Sequence, residues 1–210
     1  MTRLSRTERS ALCDLALQVG EDQPTLCGEW TVKDLVVHLL VRERSPAAAG
    51  IVVPVLARLT DAASRHTART DFAVLVERLR HGPPRWSPYA VPQVDAMLNT
   101  LEYYVHHEDI RRARQEWSPR ELSRHDEALL WKQVGVAGKG LVRNAPVGVT
   151  LERTDKEARA VLKDGPATVV VRGLPGELVL FVYGRTAQAR VELDGPEDAV
   201  AALTRTDLGV

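Results

Sequence analysis

Cysteine is scarce in this chain, with two among 210 residues, Cys13 and Cys27. They lack the close spacing of a thiol redox motif or a zinc knuckle, so both read as small buried hydrophobes in a reducing cytosol. Net charge is lacking too. Lysine and arginine number 28, as do aspartate and glutamate, so no long-range field draws in nucleic acid or an anionic membrane, although local basic clusters remain able to bind small anions. Long apolar runs are missing: Leu178 to Tyr183 and the run ending at Val41 fall far short of the roughly 20 residues that span a bilayer. The first residues run at once into charge, without the apolar core of a signal peptide. No glycine-rich phosphate loop, nucleophile elbow or nucleic-acid motif occurs. Together these absences predict a cytoplasmic protein with neither membrane nor nucleic acid as partner.

What is present suits a folded protein. Apolar residues make up 44% of the chain and charged residues 27%, a balance that buries a core. The length allows one large domain or two compact ones. To about residue 140 the apolar residues recur at helical spacing, and the breaks fall at proline, glycine and short polar stretches. Helices are predicted over Ser5 to Val19, Val32 to Arg44, Pro46 toward Leu59, Asp71 to Arg80, Val94 to about Arg114, and Asp126 to Ala137. Thr31 caps the second of these, with Asp34 placed to complete the cap.

Beyond Val142 short β-branched runs separated by turn residues predict strands over Val147 to Leu151, Ala158 to Leu162, Ala167 to Val171 and Val191 to Asp194. Gly173 to Tyr183 is ambiguous between helix and buried strand, and Pro196 to Thr206 reads as a closing helix. The expected fold class is therefore α plus α/β, a helical domain over 1–140 and a small α+β domain over 141–210, with a soft boundary near Lys139 to Asn144.

Glu102 and His106 are four apart on a well-patterned helix, so their side chains leave one face a single turn apart. Leu98, Leu101 and Val105 share or flank that face, which puts a carboxylate and an imidazole against the core, where an unpaired charge is costly. A divalent metal is one compensating partner. His38 is the candidate third ligand, because it interrupts an otherwise apolar helix. Three protein ligands leave a coordination position open, the mark of a catalytic rather than a structural site. On the residues alone two bland alternatives stand beside the metal: a solvated helix pair and a satisfied core histidine.

The stretch Leu26-Cys-Gly-Glu-Trp-Thr-Val-Lys-Asp-Leu-Val-Val-His38-Leu resembles the Trp-Thr-x-x-Asp-x-x-x-His segment of the mycothiol-dependent maleylpyruvate isomerase-like proteins of actinobacteria, relatives of the DinB-like metal-binding bundles. Glu102-Tyr-Tyr-Val-His106-His-Glu-Asp-Ile-Arg-Arg-Ala113 is similar to their Glu-x-x-x-His-x-x-Asp segment. The resemblance covers most of the N-terminal half, and the C-terminal half resembles the sterol-carrier-like domain that follows in that family. It implies a DinB-like four-helix bundle holding zinc or a similar divalent ion through His38, Glu102 and His106. It also implies mycothiol as cofactor, and isomerisation or thiol transfer on a small electrophilic substrate with the metal keeping the cofactor thiol as thiolate. The Arg42-Glu43-Arg44 run and the loop from Pro83 to Pro92 resemble a subgroup distinct from the isomerase itself.

Two arginines are candidates for catalysis. Arg42 follows His38 by one turn on the same face and is placed to hold a substrate carboxylate. Arg185 follows a glycine turn and resembles a Gly-Arg segment of the family's second domain. For each, an exposed surface arginine is the alternative. His107 points about a hundred degrees from His106 and reads as a surface or supporting residue. Asp109 reads as a solvated acid, with orientation of an imidazole or capping of a neighbouring arginine as the alternatives. His66, His81 and His125 sit among polar residues and read as solvated. The rival to an enzyme is a non-catalytic protein that binds a metal or an apolar ligand.

Overall fold

Thr31 starts the helix that carries the first candidate ligand. Its hydroxyl accepts the Asp34 N–H at 3.3 Å while Asp34 Oδ2 accepts the Thr31 N–H at 3.0 Å, so two amides that open the helix are satisfied reciprocally. The computed structural model describes residues 3–45 and 57–209, which fall into two units, Met1–Trp117 and Ser118–Val210.

The first unit is helical: α1 (Arg3–Val19), α2 (Val32–Arg44), α3 (Ala57–Thr67), α4 (Phe72–Arg80), a 3-10 turn at Pro88–Ala90 and α5 (Pro92–Arg112). The stretch from Pro46 lies outside the described residues as far as residue 56, and α3 is seen from Ala57 onward. α1 packs on α4 and α5, and α2 packs on α3 and α4. Their shared core takes Leu12, Cys13 and Ala16 from α1, Leu35, Val36 and Leu39 from α2, Leu75 and Leu79 from α4, and Tyr103 and Ile110 from α5.

α5 departs from a simple amphipathic helix. Its buried residues include Leu101, Tyr104 and Val105, but also Asn99, His106, His107, Glu108, Asp109 and Arg112. With little of it left to solvent from Asn99 to Arg112, its polar side chains there must find partners inside the protein.

The second unit contains α6 (Arg124–Leu141), β1 (Gly148–Arg153), β2 (Ala158–Lys163), β3 (Thr168–Gly173), α7 (Pro175–Val182), β4 (Glu192–Asp194) and α8 (Glu197–Thr204). The strands form one sheet in the order β2-β1-β3-β4, with β1 and β3 parallel and the outer pairings antiparallel. Val149 and Leu151 of β1 and Val169 and Val171 of β3 alternate inward and are fully buried. Within the ambiguous stretch Gly173 to Tyr183, Pro175–Val182 form helix α7. Every one of its residues is buried, and that erases the one-sided pattern by which a helix is read.

The division between the units falls at Trp117 and Ser118, whereas the change of texture in the sequence suggests a boundary near Lys139. Helix α6 accounts for the difference. It packs on α7 and β2 and buries Leu130, Val134 and Leu141 within the second unit. Gly138 permits that approach, since a Cβ there would lie 2.7 Å from Leu162 Cδ1. The mixed character expected from the sequence holds, with helices first and a four-stranded sheet in the C-terminal part.

Candidate metal centre

α2, α5 and the loop between α1 and α2 bring the candidate ligands together. His38 Nε2 lies 3.5 Å from Glu102 Oε1, and His106 Nε2 lies 3.3 Å from the same oxygen. All three donor atoms fall within 4.8 Å of one another. Ligands held at about 2.0–2.2 Å from one tetrahedral ion are roughly 3.4 Å apart, so the two spacings to Glu102 fit a single divalent cation with little movement. The His38 and His106 rings meet edge to face, centroids 5.4 Å apart.

Glu102 is held as a carboxylate. Burial alone would push its pKa up, but hydrogen bonds from His106 and His38 and the nearby charges of His106 and Arg42 outweigh burial and hold it well below the usual range. For His106 burial works downward, yet hydrogen bonding to Asp109, Cys27 and Glu102 raises the imidazole well above its ordinary value. A cation taking the place of the Nε2 proton would meet the same carboxylate.

His106 Nδ1 lies 2.9 Å from Asp109 Oδ2, and Asp109 is fully buried. A carboxylate on the far nitrogen fixes the ring orientation and raises its basicity, the usual companion of a metal-ligating histidine. Asp109 is therefore not the solvated acid suggested by its place in the sequence. Its i+3 spacing from His106 carried the signal, but the spacing could not report that this side of α5 is covered.

Cys27 also differs from the expectation of an inert hydrophobe. Its thiol donates to Asp109 Oδ2 at 3.0 Å and lies 3.7 Å from His106 Nδ1. The loop that presents it is tied down at several points. The Leu26 N–H donates to the Asp109 carbonyl at 3.2 Å, the Trp30 N–H to the Cys27 carbonyl at 3.2 Å, and the Cys27 N–H to Thr25 Oγ1 at 3.2 Å. Gly28 turns the chain there with φ +63°, a conformation that glycine adopts without strain. The same loop sets Trp30 against His38, ring centroids 5.1 Å apart. Cys13, by contrast, is fully buried in the core, as expected of a small hydrophobe.

Arg42 stands beside the triad with Nε 3.7 Å from Glu102 Oε1. Its guanidinium also donates to Asn99 Oδ1 and lies over the Tyr89 ring, 4.7 Å from the centroid. Asn99 passes the contact inward, donating to Glu43 Oε1 at 2.9 Å and to Asp95 Oδ1 at 2.8 Å. Glu43 Oε1 also accepts from Arg9 at 2.6 Å and from Tyr103 at 2.8 Å. A buried polar chain thus backs the triad one helical turn away.

A cavity of about 620 Å³ opens at His38, with Trp30, Asp34, Asp61, Ser64 and Arg65 among its walls. His107 is buried rather than on the surface, its Nδ1 2.7 Å from Glu8 Oε2 of α1. His66, His81 and His125 are exposed, as expected. Arg185 belongs to the second unit, where it donates to the Tyr183 carbonyl at 2.5 Å. Among the described residues no helix is long and apolar enough to cross a membrane. Comparison with protein-family models, with curated proteins and with solved structures yields no match.

Proposed function

We propose that this chain is a divalent-metal protein of the mycothiol-dependent maleylpyruvate isomerase-like kind, acting on a small electrophilic substrate by thiol-dependent isomerisation or S-transfer in the cytoplasm. The observation that carries the reading is the convergence of His38 Nε2 and His106 Nε2 on Glu102 Oε1 at 3.5 and 3.3 Å, with the other nitrogen of His106 tied to Asp109. Two imidazoles and a carboxylate are a donor set for zinc and its neighbours.

Bound there, such an ion would favour the deprotonated form of a thiol or water at its open position. The chain's own residues supply the rest. Asp109 orients His106, and Arg42 restrains Glu102 from the next turn of α2 and lends positive charge beside it. The cavity at His38 gives a small molecule room to approach, with Trp30 as an apolar wall. Arg185 is proposed as an anion-binding group of the second unit.

The test is elemental analysis of the purified protein beside a His38→Ala, His106→Ala variant, followed by turnover assays with mycothiol and candidate electrophiles. Near-stoichiometric zinc or another divalent metal, lost in the variant together with thiol-dependent turnover, is expected. Turnover that survives metal loss sinks the mechanism, and a metal-free wild type purified without chelators sinks the site.

A further inference from the structure

Both nitrogens of the His106 ring face metal-ligating groups. Nε2 meets Glu102 Oε1 at 3.3 Å, with His38 beyond it. On the opposite edge, Nδ1 is 2.9 Å from Asp109 Oδ2 and 3.7 Å from Cys27 Sγ, and that sulfur is 3.0 Å from the same Asp109 oxygen. A thiol, an imidazole and a carboxylate therefore converge on a second point, their donor atoms all within 4.8 Å of one another. These groups are held in place by the fold. Asp109 is fully buried in α5, and the loop bearing Cys27 is pinned to the Asp109 carbonyl through the Leu26 N–H. Sulfur, nitrogen and oxygen donors in this combination suit zinc and softer, thiophilic cations better than magnesium or calcium.

A neutral imidazole has one lone pair and one N–H. With the proton on Nδ1, given to Asp109, the lone pair points toward His38 and Glu102. With the proton on Nε2, given to Glu102, the lone pair points toward Cys27 and Asp109. We propose that Cys27, His106 Nδ1 and Asp109 form a second cation site for a thiophilic metal ion, and that it competes with the His38, Glu102 and His106 site because one histidine serves both in turn.

The protons balance. Starting from a ring protonated on both nitrogens, an ion entering beside Cys27 sends the Nδ1 proton and the thiol proton to solvent and leaves the ring proton on Nε2. An ion entering beside His38 sends the Nε2 proton to solvent and leaves the ring proton on Nδ1 and Cys27 as a thiol. Filling both sites at once requires the doubly deprotonated ring. The competition rests on the reading of the first site given above, whereas the Cys27 site does not.

Cobalt(II) separates the two, because thiolate ligation gives an intense near-ultraviolet charge-transfer band that nitrogen and oxygen ligands do not. The metal-free full chain is titrated with cobalt as wild type, as His38→Ala/Glu102→Gln, and as each with Cys27→Ser added. Circular dichroism checks folding, and Glu102→Gln alone serves if the double variant unfolds. Cys13 does not confuse the signal, since burial pushes its thiol up to about 12.

The expected result is one cobalt per wild-type chain with little charge transfer. The His38→Ala/Glu102→Gln variant is expected to bind one cobalt with a strong band that Cys27→Ser abolishes. A folded variant that binds cobalt without the band, or binds none, overturns the Cys27 site. Two cobalts on one wild-type chain overturn the competition. A single wild-type cobalt already showing the full band upholds the Cys27 site and instead sinks the function proposed for His38, Glu102 and His106.

Discussion

Asp109 Oδ2 accepts from two directions at once, from His106 Nδ1 at 2.9 Å and from the Cys27 thiol at 3.0 Å. The contact with His106 leaves Nε2 as the nitrogen turned toward Glu102 and His38. Asp109→Ala removes the acceptor while leaving all three candidate ligands in place. Loss of such a supporting carboxylate weakens metal binding by roughly 10–100-fold. Chelator competition on the wild type and on Asp109→Ala measures this, and equal affinities would show that Asp109 does not orient the ligand.

The buried pair Arg9 and Glu43 tests the polar chain behind the triad. The two lie 2.6 Å apart with almost no exposure, and Glu43 Oε2 and Arg9 Nε have no hydrogen-bond partner among the described residues. Burial raises the Glu43 carboxyl above its usual range despite Arg9 and Tyr103. Glu43→Ala leaves the guanidinium buried with its longer contact to Asp95 and its place over the Tyr103 ring, and breaking such a pair costs about 3–5 kcal/mol. Neighbours that share a network are not additive. Arg9→Met/Glu43→Leu is therefore expected to lose less than the sum of its single variants by at least ~1 kcal/mol in urea denaturation. Strict additivity would mean that the ion pair is not coupled.

The legibility of the sequence follows the same division between local and non-local physics. The Thr31 and Asp34 cap, the ends of α2 and the strands β1 to β3 are set by residues within a few positions of one another, and they occur close to where the patterns put them. The spacing of Glu102 and His106, with His38 alone in an apolar run, named three groups that the fold does bring together. The meeting of Cys27 with Asp109 escaped because it depends on the loop before α2 folding back onto α5, and nothing in either segment records the other. Helix α6 was visible as a helix, but its partners α7 and β2 lie further along the chain, so its grouping with the second unit was not.

Glu127 gives the second unit a pH dependence of known sign. Burial raises its carboxyl above the ordinary value, with Asp155 and Glu177 adding to the shift, while the Gly176 N–H at 2.9 Å and Arg153 oppose it. A raised carboxyl binds its proton more readily folded than unfolded. Its contribution to stability is therefore fully present below the unfolded pKa and is lost as pH rises through the folded one. Glu127→Gln keeps an oxygen for the amide that opens α7 and removes the charge. The stability of the wild type relative to Glu127→Gln should therefore fall as pH rises across that window in urea titrations. Parallel pH curves would contradict the raised value.

His106 and His107 are adjacent in sequence and serve different partners. The ring of His106 lies between Glu102 and Asp109, whereas His107 crosses to α1 and meets Glu8, itself buried, at 2.7 Å. His107→Ala leaves a buried carboxylate oxygen without that partner, at a cost of about 1–3 kcal/mol, yet it touches no candidate ligand. It should lower the urea midpoint while zinc content stays at the wild-type level. His106→Ala should lose the zinc and, with it, the stabilisation that a tightly bound ion gives the folded state, about 2.7 kcal/mol at a free concentration 100 times Kd. Thermal melts with and without added zinc separate the two. A zinc-dependent rise in Tm that survives His106→Ala but vanishes in His107→Ala would place the ion on the α1 side of the helix, against Glu8, and would remove His38 and Glu102 from the site.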